Sequence, residues 1–214
     1  MVYNQVKADL LLSEKFAMTL HELLSQSNKY NLPLVMKELT IGKGESIYTP
    51  GSSTYYMYEI ASGAVKLGSY GNQQQKVTYD VLSHPDTFGN LRYLNGQFFE
   101  FADSLMPTKL RAYQLDFFKR VIVEDPVISE WFNKTTVARW CVAETRLFKV
   151  RALSRVENLR SIVEELNQTV TDAKGRIRNI LNELSMQDLG DLTGMTRQTV
   201  STLLQQINKE KEAI

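Results

Sequence analysis

The chain has 214 residues, 43% of them hydrophobic, and a formal charge of +1 from 25 basic and 24 acidic side chains. That length can bury a sizeable core in one large or two modest domains, and the balanced charge by itself points to neither nucleic acid nor an anionic membrane. A single cysteine excludes an internal disulfide and any four-cysteine metal or iron–sulfur site. No apolar run is long enough for a membrane span and the N-terminus has no cleavage-site pattern, so a cytoplasmic protein is expected.

Leu12, Phe16, Leu20, Leu23 and Leu24 follow helical spacing and predict a helix from Asp9 to about Leu32, ending before Pro33. From about Val35 to Val123 the texture changes to short β-branched or aromatic runs: Ile47 and Tyr48, Tyr56 to Ile60, Ala64 to Leu67, and Val77 to Leu82. Gly44, Gly51, Gly63 and Gly71 separate them. Short strands at this spacing predict an antiparallel sandwich or barrel with glycine turns.

After Asp125-Pro126 the pattern is helical. Val127, Trp131, Ala138, Cys141, Val142, Thr145 and Phe148 keep to one broad face of a helix about 36 Å long at 1.5 Å per residue. Such a helix, flanked by charge, either pairs with a second helix across a dimer or packs on its own sheet. Cys141 reads as a small buried hydrophobe. Ser154 and Glu157 predict a capping box for a further helix burying Val156, Leu159, Ile162, Val163 and Leu166 and stopping near Thr169. Asp172 to Gly175 then reads as a turn, Arg176 to Ile180 as a short strand, and Ser185 as the cap of the next helix.

The remaining pattern is that of a helix-turn-helix. Leu189 and Leu192 form one inner face, Gly190 is small where two helices approach, Gly194 makes the turn, and Met195, Val200, Leu203 and Leu204 form the other inner face. Thr196, Arg197 and Gln198 then lie at an exposed helix start, where they can meet phosphates or base edges. An ordinary helical hairpin capped by Thr196 has the same spacing. Charge does not choose between the two, because residues 151–214 carry nine basic and nine acidic side chains; Arg155, Arg160, Lys174, Arg176 and Arg178 can nevertheless gather on one face. No Ser/His/Asp set, metal-ligand spacing or phosphate-binding glycine loop is present, so no enzyme activity, metal or cofactor is expected. His21 and His84 are isolated and read as surface or hydrogen-bonded histidines.

The order of elements, with KGESIY at 43–48, Gly51, YEIASGAVK at 58–66, FGNL at 88–91 and QDLGDLTGMTRQTVSTLL at 187–204, resembles the CRP/FNR family of bacterial transcription regulators from about Lys37 to Asn208. The resemblance implies an α+β chain: an N-terminal antiparallel β-roll, jelly-roll-like and similar to a cyclic-nucleotide-binding domain, with N-terminal helices over 1–125; a dimerisation helix over 126–150; and a helix-turn-helix domain over 151–214. It implies a homodimer on double-stranded DNA, with RNA polymerase as a further partner and no membrane. Carried onto this sequence, Arg197 is the guanine reader, Gln198 and Thr202 flank it, and Gln187, Thr196 and Thr199 contact phosphate or fix register.

The chain departs from the family in two places. The effector pocket, built around Phe88, Gly89, Asn90 and Leu91, has Asn90 where the family has glutamate, and its phosphate-holding arginine and serine fall on Phe98 and Phe99. Burying a phosphate without a cation is costly, so cyclic AMP or GMP is not the expected effector. Phe98, Phe99 and Phe101 either fill the pocket, giving a regulator without an effector, or line an apolar site for another ligand. The chain also stops at Ile214, where a DNA-touching wing would begin, so most of that wing is expected to be missing and some phosphate contacts with it. The alternative reading is a small-molecule sensor or protein-interaction module with weakened DNA binding.

Overall fold

A computed structural model of the protein describes residues 18–51, 55–91 and 100–212. Leu12, Phe16, Phe98 and Phe99 lie outside the described residues. The first described helix, α1 (Leu20–Gln26), starts at a capping box between Thr19 and Glu22. It ends well before Leu32, because Asn28 takes a positive φ of 52°. Pro33 does not stop a helix; it sits in the first turn of the short α2 (Leu32–Val35), where a missing N–H costs nothing.

Eight strands follow: β1 (Met36–Ile41), β2 (Ser46–Tyr48), β3 (Tyr56–Ser62), β4 (Ala64–Tyr70), β5 (Lys76–Ser83), β6 (Thr87–Phe88), β7 (Glu100–Ser104) and β8 (Thr108–Gln114). They form two four-stranded antiparallel sheets, ordered β1-β8-β3-β6 and β2-β7-β4-β5. Between the sheets lie Tyr48, Tyr58, Ile60, Val65, Leu67, Leu82, Phe88, Ala102, Leu110 and Ala112. This is the expected roll. The strand texture ends earlier than the sequence predicts, because Leu115–Glu124 is a helix, α3. Its apolar residues Leu115, Phe118 and Ile122 recur at three- and four-residue spacing and are buried on one face, which outweighs the strand preference of Phe, Val and Ile.

The long helix α4 spans Pro126–Ala152, 27 residues, or about 40 Å. Asp125 caps it by accepting from the Val127 amide at 3.0 Å, and also accepts from Lys29 at 2.9 Å and the Tyr30 hydroxyl at 3.0 Å. The Lys29 bond, with the others, holds the Asp125 carboxyl below the usual carboxylate range. Ile128 and Trp131 bury the first turns of α4 among Leu20, Leu24, Tyr113, Phe117 and Phe118. Beyond Trp131 the helix is tied to the roll by charge: Arg139 reaches Asp80 at 3.2 Å, and Arg146 bridges Asp80 at 2.5 Å and Glu165 at 2.8 Å. Val137, Trp140, Leu147 and Phe148 remain exposed, Phe148 at 65%. Cys141 is half-buried rather than buried.

The C-terminal elements are α5 (Arg155–Leu166), β9 (Thr169–Thr171), β10 (Ile177–Asn179), α6 (Ile180–Glu183), α7 (Met186–Thr193) and α8 (Arg197–Glu212). The expected capping box of Ser154 and Glu157 is present. The strand β9 and the single turn α6 were not expected; both are too short to carry a period. Leu159, Ile162, Leu166, Ile180, Leu189, Leu192, Val200 and Ile207 form a core that continues onto Ala64, Leu105 and Met106 of the roll. Two backbone bonds cross the same boundary, Gly63 N–H to Thr171 O and Ala173 N–H to Pro107 O, each 2.8 Å.

Gly190 has no room for a side chain, because a Cβ there would lie 2.6 Å from the Met195 carbonyl oxygen. Gly190→Ala is therefore expected to destabilise the protein by about 1–3 kcal/mol, the usual cost of overpacking, as measured by denaturant unfolding. An unchanged midpoint would mean that the α7–α8 angle opens freely.

Candidate nucleic-acid interface

The local sequence builds the interface from the cap outward. Ser185 caps α7, with Asp188 closing the box from its third position. The helix ends because Gly194 adopts φ 69°, a left-handed conformation that only glycine takes without strain. The Met195 amide then donates back to Gly190 O at 2.8 Å, which fixes the turn. Thr196 restarts the chain as a helix: its hydroxyl accepts from the Thr199 amide at 3.2 Å and its carbonyl from the Val200 amide at 3.1 Å. Leu189, Leu192 and the fully buried Val200 fill the angle, with half-buried Met195, Leu203 and Leu204 around them. Ile207, which the sequence reading left out, closes the far end.

Arg197, Gln198 and Thr202 fall on one broad exposed face at the start of α8, where the positive end of the helix dipole also points outward. The Thr202 hydroxyl donates to Gln198 O at 3.1 Å and so lies flat along the helix. Thr196 is exposed and shares a 2.8 Å hydroxyl contact with half-buried Thr199. Gln187 stands apart on α7, exposed, with its amide donating to Asp191 Oδ1 at 2.7 Å. Among the basic residues expected to gather, Arg176 holds Asp172 at 2.9 Å, and Arg178 holds Asp172 at 3.3 Å and Glu183 at 3.1 Å.

The second candidate site, the roll interior, holds aromatic rings and an acid. Phe88 is 1% exposed and packs against both Tyr48 and Tyr58, with ring centroids 6.1 and 5.2 Å away. Gly89, Asn90 and Leu91 follow as a half-buried irregular segment. Glu100 is buried, and its two carboxylate oxygens accept from the hydroxyls of Tyr48 and Tyr79. Burial pushes the Glu100 carboxyl above its usual range, and the two tyrosine bonds only partly offset this. Burial also raises both tyrosines, so the hydroxyls stay donors. The sequence reading missed Glu100 and its partners; an acid at the head of the apolar strand EFAD was the available signal. Phe101 does not join the interior cluster. Strand alternation turns it to the outer face, where its ring meets Tyr70 at 5.7 Å and Lys76 lies 4.7 Å from its centre.

His84 is hydrogen-bonded, its Nδ1 lying 2.9 Å from Ile60 O. No group of three or more His, Cys, Asp or Glu that could hold a metal occurs among the described residues, and no described helix is long and apolar enough to cross a membrane.

No family model matches the chain. It is 24% identical over 198 residues to the global nitrogen regulator of Synechococcus elongatus, covering 86% of this chain and 89% of that protein. Among solved structures, FixK2 from Bradyrhizobium japonicum superposes with a TM-score of 0.67 at 19% identity, covering 83% of this chain and 86% of that one. A CooA mutant from Carboxydothermus hydrogenoformans gives 0.67 at 20% identity, covering 94% and 88%. A CRP/FNR-family transcriptional regulator from Thermus thermophilus gives 0.64 at 16% identity, covering 81% and 87%. From the two-sheet roll through the long helix to the helix-turn-helix, this chain has the fold of the CRP/FNR transcription regulators.

Proposed function

We propose that the protein is a cytoplasmic, homodimeric, sequence-specific DNA-binding transcription regulator of the CRP/FNR type that is not controlled by cyclic nucleotides. In this reading residues 1–125 are the roll, 126–150 the dimerisation helix and 151–214 the DNA-binding domain. The observation that carries it is the exposed start of α8, where Arg197, Gln198 and Thr202 face solvent on a helix held by the Gly190–Gly194 turn. An arginine fork there suits the O6 and N7 acceptors of guanine in a major groove. Thr196, Thr199 and Gln187 are the phosphate- and register-fixing residues of the same surface.

The homodimer is supported by the apolar side chains that α4 leaves in water. Val137, half-buried Cys141 and Phe148 recur at the spacing of a two-helix seam, and burying them against a second copy removes that surface from solvent. The absence of cyclic-nucleotide control is supported by the roll interior. Phe88, Tyr48 and Tyr58 occupy its centre, and the Glu100 carboxylate would oppose an incoming phosphate. A second reading, a small-molecule sensor, is favoured by an open groove of about 830 Å³ between β5, α4 and the C-terminal elements, with Arg139, Arg146 and Trp140 on its wall.

Three measurements test these readings. Against a site obtained by binding-site selection, Arg197→Ala is expected to lose about 1–3 kcal/mol at one base position in a mobility-shift titration. Equal loss on every sequence would make Arg197 a phosphate contact, and no specific binding by the unaltered protein at low salt would sink the regulator reading. In analytical ultracentrifugation, Phe148→Asp combined with Val137→Asp is expected to give a folded monomer; a surviving dimer would place the seam elsewhere. Calorimetry with cyclic AMP should show no micromolar binding, and a micromolar heat signal would overturn the account of the roll interior.

A further inference from the structure

The outer face of β4 and β5 is joined to α7 through two carboxylates. One oxygen of Asp188 closes the α7 capping box by accepting from the Ser185 amide at 3.0 Å and hydroxyl at 2.6 Å. The other accepts from Lys66 Nζ and from the Thr78 hydroxyl, both at 2.7 Å. One turn later, Asp191 accepts the backbone N–H of Thr78 at 2.9 Å. That amide lies on the edge strand β5 beside a bulge in the β4–β5 ladder: Thr78 pairs with Gly68 and Asp80 with Leu67, leaving Tyr79 as the extra residue. Asp188 and Thr78 are buried, at 4% and 2% exposed, and Lys66 is largely covered. Burial would raise the Asp188 carboxyl, but the bonds from Lys66, Ser185 and Thr78 outweigh it and hold the carboxyl below its usual range.

Two properties of this cluster bear on function. It joins α7 directly to the roll and so fixes the direction of α7 relative to β5; and α8 moves with α7 because Gly190 and Met195 lock the turn. In the arrangement so fixed, Arg197, Gln198 and Thr202 remain exposed. We infer that Lys66 and Thr78 are positioning residues for DNA recognition: through Asp188 and Asp191 they hold the reading helix at the orientation that two protomers need to meet successive major grooves. The inference rests on the regulator reading above. It gives the roll a mechanical task, as the platform against which the reading helix is aimed, that requires no ligand in its interior.

The test uses roll-side variants of the whole 214-residue chain, which leave the α7 capping box and the reading residues intact. Lys66→Met with Thr78→Val removes the two side-chain donors that the roll supplies to Asp188, and Lys66→Arg with Thr78→Ser keeps them. Circular dichroism and sedimentation establish that each variant is folded and has the oligomeric state of the unaltered protein. Affinity is then measured on DNA with one half-site, and on DNA with two half-sites whose centres are moved in single base pairs around one helical turn, about 34–36 Å. The unaltered protein and the conservative variant are expected to share one sharp spacing optimum. The donor-less variant should lose roughly tenfold at that optimum and show a flattened spacing profile, while its single-half-site affinity stays the same.

An unchanged spacing profile in the donor-less variant would overturn the inference, as would tighter binding, which would make the cluster a restraint rather than an aim. If the donor-less variant does not fold, Lys66→Met alone takes its place with the same two outcomes. Failure of the regulator reading is separately visible, because the unaltered protein would then bind neither DNA specifically, and the positioning role would fall with it.

Discussion

An edge strand carries outward N–H and C=O groups that must be satisfied or covered, and β5 is the edge of its sheet. The protein covers β5 with α7, whose Asp191 takes the Thr78 amide beside the bulge. Asp188 adds a buried ion pair with Lys66 at 2.7 Å, a contact that is costly unless every lone pair finds a donor; here Ser185 and Thr78 supply the rest. Because these bonds sit beside the shared core of Ala64, Leu105, Met106 and the C-terminal helices, roll and helix-turn-helix are held in one relation. The placement of the proposed DNA-reading surface depends on that relation.

The long helix faces the opposite situation. Its first turns are buried by Ile128 and Trp131, its middle is fixed by the Asp80–Arg146–Glu165 chain, and its apolar residues are distributed around much of its circumference. A helix in water does not keep Val137, Trp140, Leu147 and Phe148 exposed without reason. The charged chain binds one side of α4 to its own protomer and leaves Val137, Trp140, Leu147 and Phe148 exposed on the rest, the surface that a proposed dimer seam would use. Trp131 and Trp140 show the contrast: the first belongs to the N-terminal core at 9% exposed, the second is 64% exposed.

The roll interior is closed by its own hydrogen-bonded and stacked side chains. The Tyr48–Glu100–Tyr79 unit is a satisfied carboxylate, so it contributes order rather than an unmet charge, and the stacked Tyr58 and Phe88 fill the adjacent volume. The raised Glu100 carboxyl follows from burial, and the same desolvation disfavours any further negative charge in that interior. Low identity to the three structures compared, 16–20%, coexists with TM-scores of 0.64–0.67, so the fold is shared while most side chains differ.

By itself the sequence determined the parts with short-range causes. Glycine at 194, the capping pair Ser154–Glu157, the Ser185 cap, and the apolar spacing of the last helices can each be read from neighbours within a turn, and the structure has them in place. The short elements β9 and α6 and the helix α3 were harder, because three or four residues carry no period and a buried helix rich in Phe and Val resembles a strand. What only the tertiary structure decided involves residues far apart in the chain: that Glu100 finds Tyr48 and Tyr79, that Phe101 turns outward, and that Asp188 serves Ser185 locally and Lys66 across a separation of 122 residues. A capping aspartate and a solvent-facing lysine look the same in sequence whether or not they meet, because the ion pair exists only once the bulged edge of β5 has been brought against α7.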